Sequence, residues 1–410
     1  MAHTAQRAHI DPERLLSIQA ALRERNLDGW LLYDYHGTNP IANRVLGLPQ
    51  PMSRRYFALL PAQGRPVVVA HTLEQPPWSE WAGPVRVYFT WEELEAALAE
   101  TLTPGARIAV ETSAMDRIPQ LDRIPTGVLE LIEHAGVHPT GSSELVTLFA
   151  SAWSDAELES HRRAARVLAE VAESAFRKAA AAVREELGLS EWELKAQILD
   201  SLSEAGLVDI DSIVAVGANS ADGHYEPTAK DAAPIEAEQV LLIDLWGREP
   251  GSVYADQTWM GYTGNEVPKK VSQVWQTVRG ARQAALESLA AHAGDDNHQL
   301  RGCDVDAASR AIVEEAGYGE YFIHRTGHSI DSELHGFGPN IDGVETKDER
   351  RLLPGIGFSI EPGVYLPGEF GVRSEINVHL SSAGPEVTTP NPQDDIFPVL
   401  NDGWLNPSAL

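Results

Sequence analysis

Behind Asp11-Pro-Glu, apolar residues recur at Leu15, Ile18 and Leu22, which predicts a helix opening on an N-cap acid with proline in its first turn. Short β-type runs follow at Trp30–Tyr33, Tyr56–Leu60, Pro66–Ala70, Val85–Phe89 and Arg107–Val110. Helical patterning separates several of them, notably over Trp91 to Leu102. Strands alternating with helices predict a layered α/β fold for this part of the chain.

Near residue 150 the pattern changes. Ser154-Asp-Ala-Glu157 has the form of a capping box and opens a long Ala/Glu/Arg-rich amphipathic helix to about Leu187, with Gly188 as its stop. Ser190-Glu-Trp-Glu193 starts a second capped helix that ends near Gly206, and strands are expected at Ser212–Val216, Val240–Asp244 and Val253–Asp256. The order then repeats, with helices over Pro268–Ala293 and Asp304–Ala316 and strands at Gly357–Ile360 and Ile376–Leu380. Two rounds of long helix, short helix and strands predict a duplicated α+β domain with pseudo-twofold symmetry. Two domains are expected, 1–152 and 153–410.

Composition narrows the function. With 60 acidic against 32 basic side chains the formal charge is −28, a surface that repels nucleic-acid phosphates. The single Cys303 excludes a disulfide framework or a Cys-based zinc cage and fits a reducing compartment. No apolar run reaches the ~18 residues of a membrane span. The stretch from Met1 to Arg7 has no apolar core behind it, so a cytoplasmic protein without a leader is expected.

The chemistry is concentrated in the second domain, at what read as the ends of β-type segments. Asp244 closes the run Leu-Leu-Ile-Asp, and Asp256 lies 12 positions on, beyond the turn-like Glu249-Pro-Gly-Ser252. In a hairpin this even separation keeps both carboxylates in phase on one face. His328 stands in His324-Arg-Thr-Gly-His328, Glu361 follows Phe-Ser-Ile, and Glu375 sits between apolar neighbours. Taken singly, an Asp at a strand end is usually a turn or cap residue, and a His is usually a satisfied core or surface group. Carboxylates within apolar strands, however, are costly to bury unless paired or bound to metal. Four carboxylates and one imidazole suit two divalent cations, with Mn, Co, Fe or Zn favoured over thiolate-seeking metals.

Five ordered pieces carry a resemblance: Ile243-Asp-Leu-Trp-Gly247, Tyr254-Ala-Asp-Gln-Thr258, His324-Arg-Thr-Gly-His328, Ser359-Ile-Glu-Pro-Gly-Val-Tyr365 and Gly371-Val-Arg-Ser-Glu375. Together they resemble the Xaa-Pro peptidase branch (prolidase and aminopeptidase P) of the pita-bread metallopeptidases, a superfamily that includes creatinase and methionine aminopeptidase. The first domain is similar to the creatinase-like N-terminal domain. The resemblance implies Asp244, Asp256, His328, Glu361 and Glu375 as ligands of two divalent ions, manganese first among them. Asp256 and Glu375 would bridge, Asp244 would hold one ion, and His328 and Glu361 the other. It implies His224, His324 and His335 on the substrate side, together with Arg373, which stands beside the last ligand and would also bind substrate. The implied reaction is hydrolysis of N-terminal Xaa-Pro bonds of dipeptides or short peptides by a metal-bridging hydroxide, with Glu361 as proton shuttle and His335 or His224 stabilising the developing charge. A homodimer is common in the family. Arg44 is the first-domain residue expected to select dipeptides by binding the substrate's C-terminal carboxylate.

The sequence departs from the family pattern at three places. Ser329 and Asp331 occupy usually small or glycine positions, and Gly336 replaces the acidic residue that commonly follows the third histidine. An extra carboxylate at Asp331 could tune metal affinity or bind a substrate amine, while the glycines in His335-Gly-Phe-Gly338 could mean only a tight turn. A creatinase-like amide hydrolase and an inactive peptide-binding member remain as alternatives.

Overall fold

Asp11 accepts the backbone N–H groups of Glu13 and Arg14 at 2.8 and 3.2 Å, and this cap opens α1 (Pro12–Glu24) as the pattern predicts. The structure is a computed structural model and describes residues 7–48, 52–293 and 299–405. The stretch 1–6, on which the absence of a leader was read, lies outside the described residues. The chain divides into two compact units, 1–150 and 151–410.

In the first unit, β1 (Gly29–Asp34), α2 (Pro40–Leu46), β2 (Tyr56–Pro61), β3 (Val67–His71), β4 (Val85–Tyr88), α3 (Trp91–Thr101), β5 (Arg107–Val110), α4 (Thr126–His134), β6 (His138–Gly141) and α5 (Ser143–Val146) follow in order. The strands form one mixed sheet in the order β4-β3-β2-β1-β5-β6. The five expected strands are all present. The sixth, His138-Pro-Thr-Gly141, escapes the pattern because it is short and carries proline, which an edge strand tolerates. One core lies between the sheet and α3 and α4, built from Leu31, Phe57, Val69, Leu94, Ile108 and Ile132.

The second unit opens with α6 (Asp155–Arg184), whose capping box closes through Ser154 and Glu157. Its buried stripe is mostly alanine (Ala164, Ala165, Ala172, Ala175, Ala179) with Leu168 and Phe176, so the helix packs closely on a sheet. A Cβ on Gly261 of that sheet would fall 2.6 Å from the Phe176 ring. The helix does not run to Gly188. It ends at Arg184, where Glu186 takes a left-handed conformation and the Leu187 N–H bonds the Ala182 carbonyl at 3.0 Å.

The chain continues through α7 (Glu191–Glu204), β7 (Val208–Val216), β8 (Val240–Arg248), β9 (Tyr254–Tyr262), α8 (Lys269–Ala291) and α9 (Gly302–Glu315). It then forms β10 (Ser329–Ile330), β11 (Gly357–Ile360), β12 (Gly363–Leu366), β13 (Phe370–Arg373), β14 (Ile376–Ser381), β15 (Gly384–Val387) and β16 (Phe397–Pro398). The strands form two four-stranded sheets, β16-β9-β8-β7 and β10-β11-β14-β15, and the two-stranded ribbon β12-β13. Helices α6 and α7 cover the first sheet, and α8 packs into the cores beside the second sheet and the ribbon. Among the described residues, no helix is long and apolar enough to cross a membrane.

Candidate metal centre

The hairpin β8–β9 decides where the first two acids point. Its register pairs Asp244 with Thr258 and Trp246 with Asp256, so Asp244, Asp256 and Thr258 share one face. The turn closes through the Ser252 N–H and the Glu249 carbonyl at 3.1 Å. Neither acid ends its strand, contrary to the sequence reading. Both sit within nine-residue strands, because β8 and β9 extend beyond their apolar runs.

The other sheet supplies the rest. His328 immediately precedes β10, Glu361 follows β11, and Glu375 lies in the link between β13 and β14. His328 Nε2 stands 3.3 Å from Asp256 Oδ2, 3.5 Å from Glu361 Oε1 and 4.0 Å from Glu375 Oε1. Its Nδ1 faces the Ser329 carbonyl at 3.1 Å, and a carbonyl only accepts, so Nδ1 carries the hydrogen and Nε2 is turned to the acids. Asp256, His328 and Glu375 each offer a ligand atom within 4.8 Å of the others.

Asp244 joins this group through Arg373, which donates to Asp244 Oδ2 and, from Nε, to Thr258 Oγ1 at 2.8 Å. Thr258 passes its own hydrogen to Glu375 Oε2 at 2.8 Å. A continuous chain Asp244–Arg373–Thr258–Glu375 therefore orients two of the four carboxylates. Even so, Asp244 Oδ1, Asp256 Oδ1 and Glu375 Oε1 are buried without a hydrogen-bond partner. Unmatched buried oxygens of this kind are expensive, and those of Asp256 and Glu375, grouped with His328, form with Asp244 a donor set suited to divalent cations.

Electrostatics agree. Burial pushes Asp244 up to about 7 against the pull of Arg373, with Asp256 and Glu361 adding repulsion. Burial likewise raises Asp256, and burial plus the Asp256 and Glu361 charges raise Glu375 well above the carboxylate range. Glu361 moves the other way: burial would raise it, but His328, His324 and Arg373 outweigh that and hold it low. His328 is raised, because its bond to Asp256 and the Glu361 charge overcome the effect of burial.

Of the expected substrate-side histidines, His335 lies directly against this centre. The His335 ring meets His328 edge-on at 4.4 Å between centroids, and the His328 charge followed by burial lowers its pKa to about 3. His324 donates from Nδ1 to the Arg325 carbonyl at 2.7 Å, so its Nε2 accepts the Tyr365 hydroxyl at 2.8 Å. His224 is exposed on the loop after β7, and a Cβ on the preceding Gly223 would lie 3.6 Å from the Tyr365 ring. Arg373, expected beside the substrate, is buried and directs its donors to Asp244, Thr258 and Tyr365. Arg44 lies on α2 of the first unit and donates to the Ala150 carbonyl.

Three participants escaped the sequence reading. Thr258 was legible as the next in-phase residue of β9, and Tyr365 stood within a quoted piece. Glu191 at the start of α7 had no such signal. It is fully buried and accepts the Tyr225 hydroxyl at 2.6 Å and the Val216 and Ala233 N–H groups at 2.7 and 2.8 Å, pinning the loop that carries His224.

The profile of metallopeptidase family M24 matches residues 159–382. The chain belongs to that family. A probable dipeptidase PepE of Mycobacterium bovis is 28% identical over 386 residues, covering 92% of this chain and 94% of the relative. An Xaa-Pro dipeptidase of Lactobacillus delbrueckii subsp. lactis is 37% identical over 165 residues, 40% of each chain. The crystal structure of dipeptidase PepE from Mycobacterium ulcerans superposes with a TM-score of 0.71 at 25% identity, covering 94% of this chain and 97% of that one. This M24 chain has the expected pita-bread fold with an N-terminal α/β domain, and it is a metallopeptidase acting on peptides.

Proposed function

We propose that this M24 protein is a two-metal peptidase that hydrolyses the N-terminal Xaa-Pro bond of dipeptides or short peptides. The observation that carries the reading is the trio of unpartnered buried oxygens on Asp244, Asp256 and Glu375, the last two residues grouped with His328. Asp244, Asp256, His328, Glu361 and Glu375 would hold the ions, manganese foremost. When bound, such ions supply Lewis acidity and an acidified water. The similarity to an Xaa-Pro dipeptidase supports the substrate class.

The chain's own residues then divide the work. Glu361, kept ionised by the cations around it, takes the proton of the attacking water and delivers it to the proline nitrogen as the C–N bond breaks. That nitrogen carries no hydrogen in the peptide, so the site must provide one. His335 or His224 meets the oxygen on which charge develops. His324, fixed by Tyr365, orients the proline side of the substrate. Arg373 and Thr258 hold Asp244 and Glu375 in place. Arg44 remains our candidate for dipeptide selection. The lone Cys303 and family precedent support a cytoplasmic homodimer.

The test is release of the N-terminal residue from one Xaa-Pro dipeptide and one Xaa-Pro-Xaa tripeptide, after chelator treatment and after reloading with Mn, Co or Zn. Metal-dependent cleavage is expected, and the ratio of the two rates separates dipeptidase from aminopeptidase action. Folded protein that binds two ions and cleaves neither peptide would overturn the Xaa-Pro reading.

A further inference from the structure

We propose that Asp331 is the positioning residue of His335, and that Gly336 lacks a side chain to leave room for the Asp331 carboxylate. The inference rests on the peptidase reading only for the role of His335.

Asp331 is fully buried, and both its oxygens are engaged within the protein. Oδ1 accepts the Glu333 N–H at 2.9 Å, while Oδ2 accepts the Phe337 N–H and the Ser151 hydroxyl, each at 2.8 Å. The two backbone donors lie two residues before and two residues after His335, so one carboxylate ties both arms of the turn that presents the ring. The Asp331 carbonyl accepts the N–H of Tyr254, two residues ahead of Asp256. The same residue thus links the His335 turn to the strand that carries a metal-site carboxylate. Because its oxygens are engaged in this way, the carboxylate is not directed at a substrate amine, the role weighed from sequence.

Gly336 supplies the second, independent observation. It has no positive φ, so a left-handed turn is not the reason for glycine. A Cβ there would lie 2.7 Å from Asp331 Oδ2, 2.8 Å from Asp331 Cγ and 2.9 Å from Ser329 Oγ. A side chain at 336 and the carboxylate of Asp331 therefore exclude each other in this geometry. Gly338 follows the same rule, its Cβ falling 2.5 Å from Ser329 Oγ.

The test combines kinetics with a structural readout on the full chain. In Asp331→Asn one acceptor becomes a donor facing an N–H group. With metal loaded, kcat on an Xaa-Pro dipeptide is expected to fall 10- to 100-fold, with KM and metal stoichiometry little changed. In a His335→Ala background the same substitution is expected to have no further effect on kcat. Losses that multiply would overturn the proposal, since Asp331 would then act elsewhere. Ser151→Ala removes one bond to Oδ2 and gives the same pattern at smaller amplitude should Asp331→Asn not fold. Independently of turnover, the His335 imidazole resonance in metal-free protein should broaden both in Gly336→Ala, which crowds the Asp331 carboxylate, and in Asp331→Asn, which weakens its bonds to the turn. A resonance unchanged by Gly336→Ala would overturn the steric half. If the wild type cleaves no Xaa-Pro peptide but the resonances behave as stated, the positioning role stands and only the Xaa-Pro reading falls.

Discussion

The backbone N–H of Asp256 donates to the side-chain oxygen of Asn377 at 2.9 Å, joining a strand of one sheet to a strand of the other at the metal centre. Asn377 is completely buried, its N–H is bound by Thr389 Oγ1, and it lies two residues past Glu375. One amide thereby sets the spacing between two carboxylates that the sequence separates by more than a hundred positions.

Replacing Asn377 with leucine should leave the Asp256 N–H buried and unmatched. We expect a loss of about 1–3 kcal/mol in unfolding free energy, together with weaker metal binding. Chemical denaturation and calorimetric titration with Mn check the two effects. Unchanged metal affinity would mean that the spacing is held by other contacts.

The metal-free protein should lose stability as pH rises from about 4 to about 7. The folded pKa of Asp244, about 7, lies above its ordinary value of 3.8, so its contribution is fully present below the ordinary value and lost as pH passes the folded one. Asp244→Asn removes that component. Denaturation midpoints from pH 4 to 8 should fall more for the wild type than for the variant, and metal saturation should abolish the difference. At a hundredfold excess over Kd, one ion adds about 2.7 kcal/mol.

His161 on α6 has the opposite sign. Fully buried between the Tyr254 carbonyl and Thr388 Oγ1, both at 2.7 Å, it is lowered by burial to about 4 from 6.5. Its contribution is present above pH 6.5 and lost as pH falls toward 4, at most about 3 kcal/mol. His161→Gln should flatten that limb of the stability profile. An equally steep acid limb in the variant would place the effect in other groups.

Glu191→Ala should release the His224 loop by freeing Val216, Tyr225 and Ala233 at once. We expect kcat/KM on an Xaa-Pro dipeptide to fall about tenfold or more, which corresponds to 1.4 kcal/mol or more, with two ions still bound. Faster amide hydrogen exchange confined to the segment from Val216 to Ala233 would confirm the cause. Slow exchange there with reduced activity would point instead to a direct effect on the site.

Much of the protein was legible before folding. Apolar spacing fixed the helices at Asp11, Ser154 and Ser190, because caps and periodicity are local properties. The hairpin phase of Asp244 and Asp256 followed from the alternation of side chains along a strand. Five short pieces identified the superfamily, since metal ligation demands particular residue types at particular places. Local spacing could not tell that Gly188 is not the helix stop, because the left-handed Glu186 ends α6 first. Nor could it find β6, whose proline is acceptable only because that strand lies at an edge.

What the tertiary structure alone decided is how distant residues match. Thr258, Tyr365 and Glu191 gain their roles from partners far away in sequence, and a hydrogen bond depends on where two atoms meet in space. The same holds for Asp331 and Gly336. Sequence offered a carboxylate free to meet substrate and a glycine suited to a turn. Packing instead places the carboxylate where a side chain at 336 would stand, because two groups cannot share one buried volume.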